Sequence, residues 1–377
     1  MTPKVDPAGR TRRWTIPKKY VNSLFAVLLG LIAGAFFMLA IGRNPFVGYF
    51  YLFKGGVMNL KYIGQTLATS TPLILTGLSV AFAFRTGLFN IGAAGQMLMG
   101  GLTAIGLALT FEHMLPRGIL LAVIVLGSIV AGGLWALIAG VLKARFNVNE
   151  VVATIMLNWI AFWTVKYGVY AFFRDPQQET QSKAIDAVAS LKAPWLTSLF
   201  PGSYINLGLF LSLIALVIIA LVLDKTTLGY ELKAVGFNRS AAEYAGIKVN
   251  RGVILSMTIA GMLAGLAGAT YWTGYSSNMQ IDTSSLPSQG LDGIAVALLG
   301  TNSPVGVLFA AVFFGMLQSG KGFMTAVTGI PPEIADTIIA TVIYFAAAAV
   351  LIERVLDAWR KRRASKALAA TKKGGEE

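Results

Sequence analysis

The chain is a succession of long apolar runs separated by short polar breaks, and within the runs apolar residues follow one another without period-two alternation. A run of about 20 such residues spans a bilayer as an α-helix, because backbone groups in hydrocarbon must all be satisfied internally. The uninterrupted pattern argues against the strands of a transmembrane barrel. Spans are expected at about 21–42, 62–84, 90–110, 118–142, 150–173, 204–223, 252–275, 286–300, 304–320 and 333–353. Two of them, 286–300 and 304–320, are short. The expectation is therefore an all-α integral membrane protein of about ten transmembrane helices, with both termini on one side. Its regions are a basic N-terminus (1–20), a transmembrane domain (21–353) and a basic tail (354–377).

The polar breaks fix the orientation. Most of the 31 Lys and Arg fall in 1–20, at Arg85, at Lys143 and Arg145, in 224–251 and in the tail. Short cytoplasmic loops collect positive charge, so this side is expected to be cytoplasmic. The run 21–42 is too long for the apolar part of a signal peptide and lacks a small-residue cleavage site, so it is expected to be a retained helix. In the tail, RVLDAWRKRRASK can rest on anionic headgroups while Val355 and Trp359 dip into the interface. The opposite side carries 174–203, a loop with a helical-looking middle that is too small to be a binding domain.

Composition narrows the chemistry. Charged residues make up 13% of the chain, against roughly 25% in soluble domains. The net charge of +14 lies along the membrane face and does not point to nucleic acid. There is no cysteine, and the one histidine, His113, sits in the loop FEHMLPRG. Disulfides, thiolate metal sites and a buried Ser-His-Asp triad are thereby excluded, and no cofactor or metal is expected. Glu150, Asp292, Glu333 and Asp336 all fall near span ends, leaving no carboxylate at a clear midpoint. That weakens a secondary carrier or an intramembrane hydrolase, so the energy for uphill transport would come from outside the chain. Gly315–Gly322 nearly spells a phosphate-binding loop, but Gly322 replaces the hydroxyl that would hold Mg²⁺ and no strand precedes it. A weak repeat pairs Asn90–Gly92 and Gly101 with Pro304–Gly306 and Gly315, as a duplicated helical unit would.

One polar stretch, GFNRSAAEYAGI (236–247), stands out between apolar runs. Ser240 and Glu243 have the spacing of a capping box, and Gly246 suits a left-handed C-cap, which together predict a helix of about one and a half turns. Such a helix does not hold alone in water and must sit against something. The segment Ser240-Ala241-Ala242-x-x-x-Gly246 resembles the "EAA" loop of bacterial ABC importer permeases, with Ser in the Glu position. The wider stretches 226–251, RTGLFNIGAAGQMLMGG (85–101) and LDGIAVALLGTNSPVGVLFAAVFFG (291–315) resemble the permease family for ribose-type simple sugars and nucleosides, the nucleoside group most closely.

The resemblance implies a permease subunit in the bacterial cell membrane. Its partners would be cytoplasmic ABC ATPases, a second permease (a copy or a related chain) and an extracytoplasmic substrate-binding lipoprotein. Gly236, Asn238, Ser240, Ala241, Ala242, Glu243 and Gly246 would form the ATPase-coupling loop, relayed through helix 252–275 with its Gly261, Gly265 and Gly268. Path candidates for a polar, uncharged solute are Gln65, Phe89, Asn90, Gln96, Asn158 and Trp159. Asn90 serves equally well as helix–helix glue, Asn158 reads first as glue, and Trp159 with Trp163 reads first as packing or lipid interface. The alternatives are a permease for ribose- or galactose-type sugars and, from another class, a secondary carrier or channel.

Overall fold

The computed structural model describes residues 18–281, 284–345 and 348; the basic tail expected at the membrane surface and residues 1–17 lie outside them. The described chain is helical: α1 Lys18–Ala40, α2 Pro45–Val57, α3 Leu60–Arg85, α4 Ala93–Phe111, α5 Arg117–Phe146, α6 Glu150–Gly168, α7 Pro194–Leu199, α8 Gly208–Lys225, α9 Thr227–Phe237, α10 Arg239–Tyr244, α11 Val249–Thr270, α12 Ser288–Leu299 and α13 Pro304–Thr328, followed by α14 over 332–345. Seven of these are long and apolar enough to cross a membrane. The remaining three expected spans are present as α6, the short α12 and α14.

The polar pattern missed α2. Its 13 residues span about 20 Å, short of the roughly 30 Å hydrocarbon core. It starts cleanly, with Asn44 capping Phe46 N–H and Pro45 at the first helical position. It then packs through Gly55 and Gly56 against Phe323, Gly320 and Met316 of α13. The helix expected in the middle of 174–203 is also displaced. That segment pairs in extended form with 273–280, with Ser182 N–H donating to Met279 O (2.9 Å) and Ile185 N–H to Ser277 O (2.9 Å), and its helix is α7.

At the centre stand α3, 83% buried over its apolar window, and α11, 67% buried. Each packs on two helices from the other half of the chain, α3 on α12 and α13, α11 on α4 and α5. The two halves of the chain thus interlock around α3 and α11. The stripe on α11 makes its packing close: a Cβ on Gly261 would lie 2.4 Å from Gly132 O, and one on Gly265 2.2 Å from Ser128 O. Residues 315–322 are continuous helix within α13, and Lys321 pairs with Asp336 (3.0 Å), so no phosphate loop forms. Asp292 is half-buried near the start of its helix. It lies one turn into α12, which starts inside the bundle with Gly290 against Ala94 and Gly293 against Thr76, and it accepts a hydrogen bond from Gln318 (3.1 Å).

Candidate functional site

At the bundle end where α3 finishes, α9 and α10 form a small knob. Thr226 caps α9, its Oγ1 accepting from Gly229 N–H (3.1 Å). The chain breaks at Asn238 (φ −155°, ψ 107°), whose Oδ1 accepts from Ala241 N–H (3.0 Å) and opens α10. The cap is thus Asn238, and Ser240 lies inside the helix, so the expected capping box is not made. Asn and Ser are comparable N-caps, and α9 runs to Phe237, which leaves Asn238 as the first residue free to take the extended cap geometry. Gly246 closes the helix as expected. At φ +83° it allows Gly246 N–H to reach Glu243 O and Ile247 N–H to reach Ala242 O, each at 3.0 Å, which satisfies two orphan carbonyls.

The knob is seated by buried side chains of α9 and α10, Leu232, Val235 and Ala242, and by a close backbone contact at Gly236. Ala242 is 4% exposed and enters an apolar cluster with Ala83, Leu88, Val235, Val253 and Met257. Gly236 lies directly on Gly87, the positive-φ residue (+75°) of the α3–α4 link, and a Cβ on Gly236 would stand 2.6 Å from Gly87 N. Thr86 beside it shares a hydrogen bond with Ser256 of α11. Outward the knob presents Ser240, Ala241 and Glu243, together with Phe237 (95% exposed) and Tyr244 (96%). Sequence reasoning passed over these two aromatics, although large rings in a polar loop are a signal of contact with a partner.

From Gly87 the chain leads at once into the glycine-broken stretch before α4. There Asn90 and Gln96 face each other in a reciprocal amide pair, with Asn90 Nδ2 donating to Gln96 Oε1 and Gln96 Nε2 to Asn90 Oδ1, both at 3.0 Å. The α4 start has no cap of its own, and Asn158 of α6 supplies one by accepting from Gly95 N–H (2.8 Å) while donating to Ile91 O (3.0 Å). All three amides are buried. Phe89 packs on Phe84 (ring centroids 4.8 Å). Trp159 is 43% exposed on the outer surface, edge-on to Phe162.

The opposite end holds a cavity of about 650 Å³. Phe162, Val165 and Lys166 of α6 form one wall, and Tyr271, Trp272 and Tyr275 another. Residues 276–280 and 285–289, with Lys192 and Tyr204, complete it. At this end α11 widens into a π turn, Tyr271–Tyr275, closed by Ser276 N–H donating to Tyr271 O (2.7 Å). Such turns recur at functional sites. Gln65 stands behind the wall, its Nε2 donating to Tyr275 Oη (3.0 Å). Of the six expected path residues, Gln65 alone touches this wall. Asn90, Gln96 and Asn158 gather below it, two residues from the lining residue Leu98 in the case of Gln96, and Phe89 and Trp159 belong to neither group.

Comparison with known proteins bears on this arrangement. Residues 62–347 match the family described as branched-chain amino acid transport system / permease component. The nucleoside ABC transporter permease protein NupB of Lactococcus lactis subsp. cremoris (strain MG1363) is 44% identical over 98% of this chain and 99% of its own length. The guanosine ABC transporter permease protein NupP of Bacillus subtilis (strain 168) is 42% identical over 91% of this chain and 97% of its own. The glucose ABC transporter permease protein TsgB13 of Haloferax volcanii is 31% identical over 91% of this chain and 90% of its own.

Proposed function

The chain belongs to the family of branched-chain amino acid transport system permease components, and from that premise we propose that it is the membrane-spanning permease subunit of an ABC importer for nucleosides. The observation that carries the substrate class is its near full-length similarity to NupB and NupP, well above that to the glucose permease. The protein is a translocation subunit, and we infer that it has no ATPase site of its own. Its partners would then be cytoplasmic ABC ATPases, a second permease subunit and an extracytoplasmic substrate-binding lipoprotein. The knob end would be cytoplasmic, with both chain termini there and the cavity open to the outside of a bacterial cell.

In mechanism, the cavity is the outer part of the solute path, and the Asn90–Gln96 pair closes it toward the knob. The ATPases receive the knob through Phe237, Ser240, Glu243 and Tyr244. Movement of the knob pushes on Gly87 through Gly236, and Gly87 lies just ahead of Asn90, so the push reaches the closure directly. The Thr86–Ser256 hydrogen bond carries the same motion into α11, the relay expected from sequence. One route runs through the short α3–α4 link and the other joins that link to α11, so both are contiguous physical contacts.

The test is uptake of labelled guanosine, adenosine and glucose by cells that lack, or regain, this chain together with its companion subunits. Restored uptake of the nucleosides, unaffected by excess glucose, is expected. Restored glucose uptake with none of either nucleoside would replace this reading by a sugar permease.

A further inference from the structure

The wall of the cavity is an aromatic ladder. Tyr271 and Tyr275 lie almost parallel, with ring centroids 5.3 Å apart and an interplanar angle of 9°. Tyr204 extends the ladder on the Tyr275 side (5.0 Å), and Trp272 meets Tyr271 edge-on (5.1 Å, 84°). Side chains four apart share one face of a helical segment, and here that segment is the π turn that faces the cavity. Gln65, which stands outside the lining, donates to the Tyr275 hydroxyl from behind, and both rings remain partly accessible.

Around the ladder the lining mixes apolar side chains such as Leu98, Val165, Met279 and Leu286 with polar, uncharged ones, and two lysines carry its only charge among the described lining residues. Lys166 and Lys192 lie over aromatic rings, 4.8 Å from the Phe162 centroid and 5.4 Å from the Tyr204 centroid. Among the described lining residues there is no carboxylate. The volume falls in the range of small-molecule sites, roughly 300–1,000 Å³. Amides such as that of Gln289 offer a donor and an acceptor side by side, which matches the hydrogen-bonding edge of a nucleobase. A bare sugar has no π face and could meet these rings only through its C–H groups, whereas a base can stack on them plane to plane.

We propose that Tyr271 and Tyr275 form a stacking platform for the base of a nucleoside inside the permease, with Gln289 at the base edge. The permease then selects its solute by the base rather than passively accepting what a binding protein delivers. This rests on the nucleoside-transport reading above and adds the site and the group recognised.

The experiment uses the full importer assembly reconstituted in nanodiscs or proteoliposomes. The fluorescent probe 2-aminopurine riboside is expected to be quenched when it stacks in the wild-type cavity, to be displaced by adenosine and to be unaffected by ribose. Tyr271→Leu and Tyr275→Leu are expected to lose the quenching and to raise the KM for adenosine uptake about tenfold, in keeping with the usual strength of base–aromatic stacking. Tyr271→Phe, which keeps the ring, is expected to behave as wild type. Wild-type KM and quenching in both leucine variants would overturn the proposal alone. So would displacement of the probe by ribose as readily as by adenosine, an outcome read on wild type without any variant. Failure of wild type to take up either adenosine or guanosine would overturn the transport reading and the proposal with it.

Discussion

Replacing Gly236 by alanine probes the contact through which the knob meets the bundle. The added Cβ would stand 2.6 Å from Gly87 N, 2.6 Å from Thr86 C and 2.8 Å from Arg85 O, whereas ordinary contact begins at 3.4 Å. The three atoms are backbone, so no side chain can rotate away. The knob must lift by about 0.8 Å, the difference between 3.4 and 2.6 Å. Overpacking of this kind costs about 1–3 kcal/mol. Because Ala242 sits in the same module, the strain falls on the seated state, and its population relative to an unseated one drops roughly 5- to 150-fold. Nucleoside uptake per ATP hydrolysed, measured in proteoliposomes, is expected to fall within that range while the bundle keeps its helical circular dichroism. Wild-type coupling in Gly236→Ala would refute the reasoning that the Gly236–Gly87 contact transmits the stroke.

Three further outcomes follow from the same contacts. Ala242→Asp places a carboxylate in an apolar cluster at a cost of several kcal/mol and is expected to abolish ATP-coupled uptake without preventing membrane insertion, as read by uptake and membrane fractionation. Phe237→Ala removes a ring that is 95% exposed; the melting temperature should not move, since exposed substitutions stay within about 0.5 kcal/mol, whereas co-purification of the ATPase subunits should weaken. Asn158→Leu strips Gly95 N–H and Ile91 O of their buried partner and is expected to destabilise the bundle by about 1–3 kcal/mol, seen as earlier thermal unfolding.

How much of this was legible in the chain depends on whether the signal was local. The long spans announced themselves because hydropathy over 20 residues outweighs any neighbour's influence. Gly246 was legible because a left-handed C-cap is a one-residue demand, and Ala242 because two small residues in a short helix need something to press against. Three features were not. The 13-residue α2 has no span-length run, and its packing against α1, α3 and above all α13 holds it in place. The choice of Asn238 over Ser240 as cap turns on where α9 stops, which neither side chain reveals. The cavity is the least local of all: Gln65 and Tyr275 are 210 positions apart, and the π turn that carries the tyrosines leaves no simple periodic mark. Amides at Asn90 and Gln96 suggested a path by being polar in an apolar stretch, yet polarity alone could not say that they would satisfy one another.

The central claim is that this chain supplies a path and a handle, and that separate ATPases do the driving. The most direct test is accumulation of labelled guanosine in proteoliposomes that contain the permease assembly, with and without those ATPases. The account predicts accumulation only when ATPases and MgATP are both present, and arrest by vanadate. Accumulation by the permease assembly without the ATPases, or undiminished by vanadate, would contradict it.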